Sequence, residues 1–304
     1  MNERSIIDLF YKNSSLNPWQ DDCALIENDL LITTDSMIEN THFKTEWSTP
    51  EDLAFKLFHS NLSDLSASGG NAMYCLLNAG FPSNTDSSFI SRFSSALSSE
   101  TGRYSCRIIG GDTFRSETIH LTLTMLGKIK TRHLKRSDGK SDDALYITGY
   151  PGLSYLGYKI LSEKINTEDK LKKAALERHL RPCSRSEWSL LLSDEEGVHA
   201  AMDLSDGILT DSEKLAKASG IGLFIDIEKI PIFKGITDHL SIDDVISGGE
   251  DYEILFLGKS GLIFPFPAFE IGYAVRDSEC RVTFIKNQQE VRIQNSSFYH
   301  FNTI

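Results

Sequence analysis

Apolar positions along this chain switch repeatedly between the two-residue alternation of a half-buried strand and the three-to-four-residue spacing of an amphipathic helix. Residues 6–11 have the spacing of a short helix, and the apolar runs 23–26 and 30–34 flank Glu27, Asn28 and Asp29 as a hairpin would. Residues 50–68 read as a helix opened by Pro50 and Glu51, striped by Leu53, Leu57, Phe58, Leu62 and Leu65, and stopped by Gly69 and Gly70. A strand over 73–79, a helix over 88–99 and a strand over 106–109 follow, the last expected to end in a turn at Gly110, Gly111, Asp112 and Thr113. Strict alternation over 120–127 predicts a half-buried strand of an antiparallel or mixed sheet.

Between 130 and 143 the chain turns polar and charged, and then the pattern restarts. A strand at 144–148, a Gly-Tyr-Pro-Gly turn, helices at 153–163, 168–179 and 185–192, and a strand at 198–202 lead to a helix closed by Gly220. Strands at 222–227 and 254–257 complete the pattern. The expected organisation is two domains, 1–138 and 139–304, of mixed strand and helix, and 304 residues suffice for two such cores. No apolar run reaches the roughly 18 residues that a membrane span needs. The opening residues carry acidic side chains rather than an apolar leader, so a cytoplasmic protein is expected. The five cysteines are scattered, with no C-x-x-C pair, which points to reduced thiols. A formal charge of −12 disfavours nucleic acid as a partner. It also means that a phosphorylated ligand requires divalent cations to screen the carboxylates.

Acidic residues recur at the predicted element ends: Asp21 and Asp22, Asp35, Asp64, Asp112, Asp203 and Asp206, Glu250 and Asp251. Each group alone is explained by turn chemistry, and Asp206 or Ser205 could simply cap the helix that follows. Asp211, more than a turn into that helix, reads as peripheral, and His42 as a lone histidine reads as a surface residue. Asp64, however, lies in the last turn of its helix, where a carboxylate opposes the helix dipole unless a cation relieves it. If these turns converge they need cations, because like charges within ~4 Å cost several kcal/mol at an effective dielectric of about 20. Oxygen ligands select Mg²⁺ or Mn²⁺, the usual apparatus of phosphoryl transfer. Gly139-Lys140-Ser141 and Gly258-Lys259-Ser260 are not Walker loops, since the upstream glycine is replaced by Leu134 and Glu253.

Seven segments in order, QDDCALI, LLITTDSMIENTHF, NLSDLSASGG, IIGGDT, LKRSDGKSDDALYITG, AMDLSDGILTD and SGGEDYEILF, resemble the thiamine-monophosphate kinase family of the aminoimidazole-ribonucleotide synthetase superfamily. The resemblance implies an α/β and α+β architecture: an N-terminal mixed-sheet domain that pairs with its twin in a homodimer, and a C-terminal α+β domain. It implies ATP-dependent phosphorylation of thiamine monophosphate to the diphosphate. It assigns Asp22, Thr33, Thr34, Asp35, Asp64, Asp112, Asp203 and Asp206 to several Mg²⁺ ions, directly or through backbone oxygen or water. Gly111, Asp112, Arg136 and Ser205 are assigned to ATP, and His42, Glu250 and Phe298 to the thiamine side. Asp35, Asp112, Arg136 and Asp206 are the residues expected to carry catalysis. The chain departs from the family pattern at Gln20, usually glycine, at Arg136-Ser137-Asp138-Gly139, and in the aromatic order of 297–301. The rival readings are another ATP-using enzyme of the superfamily, a non-catalytic Mg-nucleotide sensor, and a structural dimer module.

Overall fold

The computed structural model describes residues 3–13, 20–27 and 29–294. Helix α1 (Glu3–Tyr11) precedes β1 (Ala24–Ile26) and β2 (Leu30–Ile38), which form the expected hairpin with Ile26 opposite Leu30. Helix α2 (Pro50–Ala67), β3 (Gly70–Phe81), α3 (Ser87–Arg103), β4 (Arg107–Arg115) and β5 (His120–Ile129) complete the first half. Its sheet has the order β1-β2-β5-β3-β4, with β3 and β4 parallel and the other pairs antiparallel, hence mixed. Alternation decides which face is covered. Leu31, Met37, Leu121, Leu123 and Met125 point into the core with Leu57 and Phe58 of α2, while Thr34, Ser36, Thr122 and Thr124 face the other way.

The second half comprises β6 (Ala144–Thr148), α4 (Leu153–Glu163), α5 (Asp169–Leu180), α6 (Ser186–Asp194), β7 (Val198–Leu204), α7 (Ile208–Ser219), β8 (Gly222–Asp226) and α8 (Ile242–Ser247). It ends with β9 (Glu253–Gly258), β10 (Ala268–Val275), β11 (Val282–Lys286) and β12 (Gln289–Val291). The strands form one sheet in the order β12-β11-β8-β10-β6-β9-β7, so the two sheets are separated in sequence by residues 130–143. The hydrophobic pattern did not single out α8, β10, β11 or β12, because their apolar residues are interrupted by charges and turns. No helix among the described residues is long and apolar enough to cross a membrane. All five cysteines are free, and Cys23, Cys75 and Cys106 are buried.

The two halves meet along α2. A capping box of Thr49 and Asp52 starts the helix, and Asp52 also accepts from Arg181 of the second half. Lys56 reaches Glu250, and His59 shares a hydrogen bond with Ser184 at 3.0 Å. Nearly every α2 position is consequently buried, including the polar Lys56, His59, Ser60 and Asn61, where an amphipathic reading expects a solvated face.

Candidate active site

The site is built where the ends of α2 and β7 converge on the segment before β1. One carboxylate oxygen from each of Asp22, Asp64 and Asp203 lies within 4.8 Å of the others. Asp22 leads into the hairpin, Asp64 occupies the last turn of α2, and Asp203 sits near the end of β7 opposite Ile254 of β9. Thr33 donates to Asp64 at 2.7 Å, and its side chain shares the core face of β2 with Asp35. Asn61 fixes the Asp35 backbone by accepting its N–H at 3.0 Å, and donates its own amide to the Leu57 carbonyl at 2.9 Å. Thus α2 places a carboxylate and an amide one turn apart against β2, as their spacing predicts.

The electrostatics mark the cluster as short of positive charge. Burial, reinforced by Asp211 and Asp35, pushes Asp203 up to about 7 despite the opposing pull of Arg136. Burial and the neighbouring Asp35 and Asp203 likewise raise Asp64 well above the usual carboxylate range. Asp35 rises to about 6, chiefly from burial with a contribution from Asp206. Arg136, held by a 3₁₀ turn whose carbonyl accepts from Ser219 at 2.5 Å, pairs with Asp22. Even so, Asp22 Oδ2, Asp203 Oδ2 and Arg136 Nε are buried with no hydrogen-bond partner among the described residues. Orphaned anionic oxygens converging from separate elements suit a hard divalent cation, and an all-oxygen donor set of this kind fits Mg²⁺ or Mn²⁺.

The loop after β7 is held from two sides. Gly207, at φ 97°, is the turn residue preceding α7, so neither Ser205 nor Asp206 is the helix cap. A Cβ there would meet the Gly248 carbonyl at 2.8 Å, which explains the glycine. Glu250 donates its N–H to the Ser205 carbonyl at 2.6 Å, and Tyr252 donates to the Leu204 carbonyl at 2.9 Å. Asp211 corrects its reading as peripheral: it is fully buried in the first turn of α7 and accepts the N–H groups of Ser205 and Asp206 at 3.0 and 2.8 Å. Helix spacing alone could not show this, because the groups it holds lie on the loop ahead of the helix. The Ser205 hydroxyl is 3.4 Å from Asp203 Oδ1, and Asp206 pairs with Lys214 at the rim of the cluster.

Glu250 sits beside the cluster in a left-handed conformation, φ 65°, with Lys56 at 2.9 Å and His179 at 3.5 Å. Burial acts to raise its pKa, but Lys56 and His179, aided by the nearby His42, carry it below the usual value. His42 Nδ1 accepts the Ile38 N–H at 3.0 Å. His42 and Glu250 are therefore on the same side of the site. Phe298 lies outside the described residues.

Three expected site residues are placed differently. Thr34 turns its side chain to the uncovered face of the sheet, where it bonds Thr124 at 3.0 Å, leaving only its backbone beside the site. Gly111 and Asp112 do not form a turn: β4 continues through them, with Gly111 at φ 139° because a Cβ would collide with the Leu77 backbone. Asp35, Leu123, Leu77 and Gly111 are cross-strand partners in sequence, so Gly111 lies three strand spacings, about 14 Å, from Asp35. Asp112 pairs with Asn78 on the uncovered face. Within one chain it cannot share a cation with Asp35.

Two family models match the chain: AIR synthase related protein, N-terminal domain, over residues 20–129, and AIR synthase related protein, C-terminal domain, over residues 140–282. Thiamine-monophosphate kinase of Leptospira interrogans serogroup Icterohaemorrhagiae serovar Lai (strain 56601) is 40% identical over 305 residues, spanning 99% of this chain and 98% of the relative. The Escherichia coli (strain K12) protein of the same name is 33% identical, spanning 93% and 91%. Among solved structures, AaThiL complexed with AMPPCP and TMP superposes with a TM-score of 0.88 at 27% identity, covering 99% of this chain and 97% of that one. The hydrogenase maturation protein HypE, at 16% identity and a TM-score of 0.71 over 95% of this chain and 97% of that one, shares the fold.

Proposed function

Because the chain belongs to the thiamine-monophosphate kinase family, we propose that it phosphorylates thiamine monophosphate to thiamine diphosphate by direct in-line transfer from ATP, with Mg²⁺ at the aspartate cluster. The observation that carries this reading is the convergence of Asp22, Asp64 and Asp203, with buried oxygens on Asp22 and Asp203 left without partners. The same ATP-analogue and TMP pairing is named for AaThiL, which superposes over nearly the whole chain.

The acceptor is a phosphate monoester, whose second pKa is about 6, so its attacking oxygen is already ionised at neutral pH. No side chain has to act as general base. The protein's task is to bring two anions together in line and hold them there. Asp22, Asp35, Asp64, Asp203 and Asp206 would hold the metal ions, with Thr33 orienting Asp64 and Asn61 orienting the Asp35 backbone. Bound Mg²⁺ supplies charge neutralisation for the phosphates and for the developing transition state. Arg136 adds a buried positive charge beside Asp22 and would contact a phosphate, and the Ser205 hydroxyl, beside Asp203, would face the nucleotide. Glu250 and His42 hold the thiamine end.

The reading also includes a homodimer. Every residue of β4 is exposed, among them Ile108, Ile109 and Phe114, and its outer edge has no partner strand among the described residues. At the other edge, among the described residues, β1 pairs with 30–32 of β2 and 33–38 have no strand on that side. A two-fold pairing of β4 with the open part of β2 in a second copy would remove both liabilities. It would also carry Gly111 and Asp112 to the Thr34 and Asp35 backbone of the other protomer.

The test is ATP plus Mg²⁺ with thiamine monophosphate, read for thiamine diphosphate. Product, with no labelled protein after γ-labelled ATP alone, supports direct transfer. Nucleotide binding without product would replace the kinase by a sensor.

A further inference from the structure

The cluster has a resident cation whose placement the transfer reaction does not explain. Lys214, in the second turn of α7, bridges Asp206 Oδ2 at 2.5 Å and Asp211 Oδ1 at 2.8 Å. The two carboxylates differ sharply. Asp211 is fully buried, and its Oδ2 is already taken by the Ser205 and Asp206 amides, so it cannot turn toward a metal ion without releasing the loop. Asp206 is 48% exposed at its side chain, and only Lys214 among these contacts restrains its carboxylate. Lys214 itself is 25% exposed on a flexible four-carbon stem.

We propose that Lys214 is a built-in counter-cation that holds Asp206 in the absence of divalent metal and yields it when a cation binds, keeping its contact with Asp211. The inference rests on assigning Asp206 to the cation site. Crowded carboxylates left without counter-charge repel one another or take up protons, which would loosen the loop in the absence of metal, and a rigidly paired lysine would block metal entry. A lysine with one fixed and one releasable partner meets both demands. The Lys214 charge acts against the raised pKa values of Asp35, Asp64, Asp203 and Asp211, so its reach extends beyond the two carboxylates it touches. In this arrangement Asp211 is a positioning residue for the loop and Lys214 sets the threshold for metal binding.

Calorimetric titration of the nucleotide-free full-length protein with Mn²⁺ tests this, comparing wild type with Lys214→Met and Lys214→Arg. Lys214→Met should bind Mn²⁺ roughly fivefold more tightly and Lys214→Arg within about twofold of wild type, the scale of a partly exposed ion pair. In chelator Lys214→Met should unfold at a lower temperature than wild type. In an Asp206→Asn background the Lys214→Met change should raise Mn²⁺ affinity less than it does in wild type, since the releasable partner is gone. Should Lys214→Met fail to fold, Lys214→Gln serves the same comparison. Equal or weaker Mn²⁺ binding by the neutral variant overturns the inference. So does a loss of ADP affinity in chelator with unchanged Mn²⁺ binding, which would make Lys214 a phosphate contact. If wild type binds Mn²⁺ and forms thiamine diphosphate while Lys214→Met matches it, this inference alone fails; if wild type binds no Mn²⁺ and forms no product, the metal-dependent kinase reading fails with it.

Discussion

Gly110-Gly111-Asp112 in β4 and Asp203-Leu204-Ser205-Asp206-Gly207 at the end of β7 look alike as sequence: each is an apolar strand running into small residues and carboxylates. The structure treats them in opposite ways. At β7 the chain breaks at Gly207, and Asp203 enters a buried cluster with Asp22 and Asp64. At β4 the glycines extend the strand, and Asp112 lies on an exposed strand opposite Asn78. A glycine and an aspartate thus do not define a site. The β7 carboxylate meets its partners within one chain, whereas the β4 carboxylate would meet them only in the proposed dimer.

The largest expected effect is on the complete side. Asp203→Asn should reduce thiamine diphosphate formation by roughly a thousandfold or more while the far-ultraviolet circular dichroism stays unchanged; near-normal turnover would remove Asp203 from the metal set. Asp112→Asn should also be nearly inactive, and complementation then sharpens the contrast. Co-expressed Asp112→Asn and Asp203→Asn chains should recover roughly a quarter of wild-type activity, since half of a random mixture is heterodimer and each heterodimer has one intact site. No recovery would keep Asp112 out of the partner's site.

A smaller effect follows from protonation. Asp203 and Asp35 have pKa values of about 7 and 6 in the cation-free protein, above the unfolded value of about 3.9. The folded protein therefore holds extra protons between those limits, and this contribution to stability, full below about pH 4, is lost as pH rises through about 7. In chelator, raising the pH from about 5 to about 8 should lower the melting temperature of wild type a few degrees more than that of Asp203→Asn. Mg²⁺ should raise the wild-type value more at the higher pH. Parallel curves for the two proteins would contradict the burial of Asp203. The smallest effect belongs to the uncovered face: Thr34→Val, which removes the Thr124 hydrogen bond, should change stability by about 1 kcal/mol or less, measured by urea unfolding.

Sequence reading succeeded where one physical pattern dominated. The alternation of β5, the β1–β2 hairpin and the Asn61–Asp64 spacing on α2 are local signals, and the structure contains all three. It fell short where a residue's role depends on distant chain. Lys56 and His59 look like solvated positions until α5 and α6 pack against α2. The loop amides that Asp211 binds are its neighbours in sequence but lie outside the helix that its spacing describes. Gly110 and Gly111 suggest a turn because nothing local reveals that β3 continues alongside them.

The placement of α2 between the halves also bears on how the protein is made. Asp22 and Asp64 emerge early from the ribosome, but Asp203 and the Glu250 loop that braces it come from the second half of the chain. A nascent chain that stops before β7 has two of the three clustered carboxylates and neither the Asp211 nor the Lys214 that steady the loop. A cation site built on all three carboxylates would therefore be complete only after much of the second half of the chain has been made.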